Sequence, residues 1–118
     1  MESTSKIYDL SKLEQLFRGN SALVEKTVKT FCKETGATLP QLRTELEAQN
    51  WDQVRAIAHR LKPSIEMLQI GTLGPDVRNI EEYAGEQTNM EQLPALVSKF
   101  ISVCTQAIQE LEREFNIN

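Results

Sequence analysis

The chain has 118 residues, 40% of them apolar and 25% charged, which is enough to bury one core without disulfides or a structural metal. Its formal net charge is -4, with acidic and basic residues mixed along the whole length, and this argues against a nucleic-acid partner. No apolar run approaches the roughly 20 residues that cross a bilayer, and the polar start, Met1 to Lys6, has no apolar segment behind it to act as an export signal. A cytoplasmic chain without membrane contact is therefore expected.

Leu, Glu, Gln, Lys and Ala are abundant and β-branched residues dominate no segment, so the expected class is all-α. Ser11 and Glu14 have the spacing of a capping box, and Leu13, Leu16 and Phe17 form a short apolar stripe that Gly19 stops. Asn20 or Ser21 can cap a second helix, whose Val24, Val28, Phe31, Thr35, Leu39, Leu42 and Leu46 follow a seven-residue repeat. The stripe continues across Gly36 and Pro40, which predicts one long helix bent near the proline; a break into two helices is the alternative.

Asn50 and Gln53 suggest a further capping box, opening a helix that carries Val54, Ile57, Ala58, Leu61, Ile65 and Leu68 and ends near Gly71. Trp51 beside the cap is expected to anchor the turn. A shorter helix is predicted from about Gly74 to Ala84, with Pro75 in its first turn, Leu73, Val77, Ile80 and Tyr83 on one side, and Gly85 as its stop. Thr88 with Glu91 can cap the last helix, where Leu93, Val97, Phe100, Cys104, Ala107, Ile108, Leu111 and Phe115 recur at heptad-like spacing. Cys32 and Cys104 fall on apolar positions and read as free thiols acting as small hydrophobes.

Four amphipathic helices joined by short connections hide their apolar faces most economically against one another. The expected architecture is an antiparallel up-down four-helix bundle with a short additional N-terminal helix capping one end. It forms a single domain over residues 1–118, with the bundle core at about 20 to 116. The heptad-like spacing is explained by packing within the chain, so a monomer is expected.

The chain has one histidine, His59. At about 100° per residue, the apolar positions from Val54 to Leu68 cluster within an arc of roughly 100°, and His59 points about 150° from its centre. It faces outward, with Arg55 one turn before it and Lys62 almost one turn after it on the same side. A neutral imidazole keeps one ring nitrogen free as a nucleophile, and a phosphoryl group placed on it carries charge that Lys62 and Arg55 can help to hold. Pro63, four residues on, is compact and has no N–H to give the His59 carbonyl.

The run Ala58-His59-Arg60-Leu61-Lys62-Pro63-Ser64, preceded by Asn50-Trp51-Asp52, resembles the motif of histidine-containing phosphotransfer domains, in which His is followed by a hydrophobic residue, Lys, usually Gly, and Ser. The similarity runs from about Val24 to Phe115 and includes Phe31 in the second helix. The resemblance implies a helical bundle that accepts a phosphoryl group on an exposed histidine from a receiver-domain aspartate and passes it to another receiver, without kinase activity of its own. By position, His59 is then the phosphoacceptor, Lys62 its charge partner and Ser64 the motif serine. The implied partners are receiver domains of response regulators or hybrid sensor histidine kinases. No metal or cofactor is expected on this chain, since the divalent ion belongs to the receiver.

Two positions depart from the pattern: Pro63 stands where glycine is usual, and Glu66 puts a negative charge on the phosphate-bearing face where a small residue is common. Tyr8, Leu13, Leu16 and Phe17 are candidates for an apolar docking surface, unless the first helix merely seals the end of the core. The competing functional reading is a bundle of the same kind that binds a receiver without carrying phosphate.

Overall fold

The computed structural model describes residues 7–71 and 73–117, and the polar start Met1–Lys6 lies outside them. Its elements are α1 (Ser11–Leu16), α2 (Ser21–Glu47), α3 (Trp51–Met67), α4 (Leu73–Glu86) and α5 (Leu93–Glu114), the last preceded by a 3-10 turn over Met90–Gln92. No strand occurs among the described residues.

The seven-residue repeat of α2 survives intact, because Val24, Val28, Phe31, Thr35, Leu39, Leu42 and Leu46 are all buried. The helix runs unbroken through Pro40. Proline removes only one hydrogen bond of the ladder, and a buried stripe on both sides of it holds the two halves in one helix. At the other end the Asn20 carboxamide oxygen accepts the Leu23 N–H at 3.2 Å, the cap expected from the sequence.

Helix α2 packs against α3 and α5, and α4 packs against the same two; the α3–α4 pair makes the most extensive contact of all. Each long helix thus covers its apolar stripe with two neighbours. The largest fully buried side chains, among them Phe100, Leu42, Ile65, Ile80 and Leu111, come from all four of them. Helix α1 rests against α2, and Tyr8 and Leu13 sink into the core, so these two residues are not part of a docking surface. The Tyr8 hydroxyl donates to the Glu114 carboxylate near the end of α5, which joins the two ends of the described chain.

Three expected caps take other forms. Ahead of α1, the Asp9 carboxylate accepts from both the backbone N–H and the hydroxyl of Ser11, at 2.9 and 2.6 Å, so a carboxylate two residues upstream replaces the Ser11–Glu14 box. Asn50 sits at the cap of α3 but turns its amide to Glu45 Oε1 at 2.7 Å, and so makes no capping box with Gln53. The last helix begins at Leu93 rather than near Thr88, because Pro94 in its first turn fixes the start and the 3-10 turn takes up the residues before it. Gly85 lies inside α4, which closes one residue later.

Phe100 has no accessible surface at the centre of this core. Phe100→Ala is expected to lower unfolding free energy by about 3 to 5 kcal/mol, measured by urea titration, with helicity retained below the transition.

Candidate functional site

The buried face of α3 is set by Val54, Ile57, Ala58, Leu61 and Ile65, which leaves His59 on the outer surface with its side chain 65% exposed. Opposite it runs α4, held down by Leu73, Val77, Ile80 and Ala84. That packing brings Glu81, the residue following Ile80, to the seam between the helices. One of its oxygens, Oε2, lies 2.7 Å from His59 Nδ1, and the other, Oε1, accepts from Lys62 Nζ at 2.9 Å.

An ionised carboxylate has no hydrogen to give, so the hydrogen of the His59 contact belongs to Nδ1. In the neutral ring Nε2 then carries the free lone pair. The Lys62 ammonium, and after it the His59 ring, holds the Glu81 carboxyl below the ordinary glutamate range, while partial burial of a side chain only 19% exposed pulls the other way.

The sequence-derived candidates divide between this seam, a separate groove and the core. Lys62 joins His59, but through Glu81. Arg55 is exposed and runs its aliphatic stem over Gly85 of α4, where an added Cβ would come within 2.6 Å of Arg55 Cδ; with Lys62, Arg78 and Glu81 it lines a shallow recess on this face. Glu66 is not the uncompensated charge that the sequence suggests, because Arg78 Nη1 from α4 donates to its Oε2 at 2.7 Å.

Pro63 is exposed within an α3 that stays helical to Met67, and Ser64 is partly buried. Both line a separate apolar groove of about 320 Å³ with Leu16, Phe17, Phe31 and Met67. Of the four docking candidates, Leu16 is exposed and Phe17 partly so, whereas Tyr8 and Leu13 belong to the core.

Residues 26–114 match the family model for the Hpt domain. The chain belongs to the Hpt domain family. No curated protein and no solved structure shows significant similarity to it. The family is one of phosphotransfer carriers in two-component signalling, and its members work with receiver domains and are not kinases. In this Hpt domain Glu81 is the site residue that sequence reasoning missed. A helical wheel marks Glu81 only as a polar position of α4; what would have pointed to it is the pairing of α3 with α4, which the wheel of neither helix contains.

Because the folded state holds Glu81 ionised below its ordinary value of 4.5, the contacts it makes stabilise the fold above that pH and fade as pH falls through the lowered value. Glu81→Gln should therefore lower stability at pH 7 by at most about 1 kcal/mol, the upper end for a solvent-screened ion pair, with the gap to wild type narrowing below about pH 4.5 in urea titrations repeated across pH.

Proposed function

We propose that this Hpt domain is a working phosphorelay carrier, taking a phosphoryl group on His59 Nε2 from the aspartyl phosphate of one receiver domain and passing it to the aspartate of another. The observation that carries the proposal is the exposed imidazole whose Nδ1 is engaged by Glu81, so that the nitrogen left with a lone pair is Nε2. The proposal includes the bundle itself, antiparallel with α1 across one end. The relay runs in the cytoplasm and is served by a monomer.

The Nε2 lone pair attacks phosphorus; the N–P bond forms as the P–O bond to the aspartyl carboxylate breaks, and the carboxylate leaves with the electron pair. The ring gains positive charge while keeping its Nδ1 hydrogen, and the Glu81 carboxylate faces that charge. Transfer onward is the reverse, with the neutral imidazole as leaving group. Lys62 and Arg55 supply positive charge beside the phosphoryl oxygens, the compact Pro63 and the motif serine Ser64 leave room for the receiver to approach, and the exposed Leu16 with Phe17 offers it an apolar footing. The divalent metal that receiver chemistry uses is assigned to the receiver, and this chain needs no cofactor.

A receiver carrying labelled phosphate should label wild-type protein and leave His59→Gln unlabelled at unchanged helicity and melting temperature. Binding of the receiver without label on the wild type would mean a docking module instead. Lys62→Ala should slow transfer severalfold at low salt without unfolding the protein, since a surface charge contributes only about 0 to 1 kcal/mol to stability. For Glu66, the Arg78 ion pair already offsets the charge. Glu66→Ala should then change the phosphorylated fraction by less than about twofold, while Arg78→Ala should lower it, and added salt should erase both effects.

A further inference from the structure

We propose that Glu81 is a clasp that keeps the phosphoryl group on His59 short-lived, because its carboxylate occupies Lys62, the cation that shares it with the imidazole, on the oxygen that does not face the ring. The inference rests on the carrier reading above and concerns how that same site is tuned.

The geometry sets up a competition. Lys62 Nζ has one anionic partner, Glu81 Oε1 at 2.9 Å, and Glu81 spends its other oxygen on His59 Nδ1 at 2.7 Å. Both side chains are shielded more than His59 is, with exposures of 28% and 19% against 65%, so the Lys62–Glu81 pair is the better protected of the two contacts. A phosphoryl group on Nε2 brings a charge of about -1.5 to -2 to the same cation. Lys62 can serve that group fully only by leaving Glu81, and departure leaves the carboxylate with the ring alone as counter-charge beside a dianion.

Glu81 also keeps hydrogen on Nδ1, so the phosphorylated ring departs as neutral imidazole when the N–P bond breaks. The carboxylate also attracts the cationic ring, which opposes departure, so the shortening of the lifetime is carried by the first effect, the withdrawal of Lys62 from the phosphoryl oxygens. Glutamine at this position keeps the size of the side chain and an oxygen for the Nδ1 hydrogen while releasing the ammonium. Arg55 and Arg78 do not take over the clasp, since the first lies over Gly85 and the second is paired with Glu66. Glu81 is thus a positioning residue, acting through Lys62 and through the ring hydrogen.

Phosphoramidate tests this without a receiver. Its P–N bond breaks as His59 Nε2 attacks phosphorus, ammonia leaves, and the phosphorylated protein is then followed by ³¹P NMR as water attacks phosphorus, the N–P bond breaks and inorganic phosphate is released. Wild type, Glu81→Gln, Lys62→Ala and the double variant are compared at pH 8. Glu81→Gln should lengthen the phosphohistidine lifetime about two- to fivefold, and most of that gain should vanish when Lys62 is also replaced. Equal lifetimes for wild type and Glu81→Gln, or a gain that persists undiminished without Lys62, would overturn the clasp. A residue with only a structural role would change melting without this coupling. Wild-type protein that phosphoramidate cannot label would remove both the clasp and the carrier reading, whereas labelling by phosphoramidate but not by any phosphorylated receiver would remove the carrier reading alone and leave the lifetimes to decide on the clasp.

Discussion

The geometry of the site depends on a carboxylate that belongs to a different helix from the histidine it serves. Glu81 reaches across from α4 with one oxygen on His59 and one on Lys62, and this double contact decides which ring nitrogen is free and where the Lys62 ammonium rests. Neither contact would form without the register of α4 along α3. That register is a packing result: Ile57, Ala58, Leu61 and Ile65 on one helix and Val77, Ile80 and Ala84 on the other are almost completely buried, and the α3–α4 contact is the most extensive in the molecule. Two of these residues are alanines, whose small side chains suit close approach of the helices that carry them.

How much of this could be read from the sequence follows from the range over which each signal acts. Periodicity within a helix was decisive: every position of the α2 repeat is buried, and the outward direction of His59 follows from the apolar arc of α3 alone. Signals two or three residues apart were less dependable, because several side chains compete for the same backbone N–H. Asp9 reached the start of α1 before Glu14 could, and Asn50 found Glu45 instead of its own helix end. Interactions between helices were invisible to a one-helix wheel. Glu81 and Arg78 lie three residues apart on α4; one meets His59 and Lys62 and the other cancels Glu66, and no spacing within α3 announces either.

The first helix shows the same limit at shorter length. Six residues make fewer than two turns, so the stripe of Leu13, Leu16 and Phe17 does not say which member faces the core. The tertiary structure divides them: Leu13 is buried, Phe17 is partly covered and Leu16 stands exposed beside a groove that continues to Pro63 and Ser64. Of the two alternatives raised for this segment, sealing of the core is met by Leu13, while Leu16 stays on the surface.

Burial withdraws the two thiols and the Tyr8 phenol from reaction. Burial pushes the Cys32 thiol up to about 11, helped by Glu112, and the Cys104 thiol up to about 12, and the Tyr8 phenol is likewise raised by burial and by Glu114. A thiol held protonated inside a core is a poor nucleophile, and reaching it would require opening the bundle. An imidazole is under no such constraint, because its neutral form already has a nitrogen with a free lone pair and needs no base to take a proton from it. What the protein must add is control over which nitrogen that is, and the carboxylate of Glu81 exerts it across the seam. It follows that the ring nitrogen His59 leaves free is set by how α4 lies on α3, so a change in the core that slid one helix along the other would disturb that nitrogen before it cost the bundle its helices.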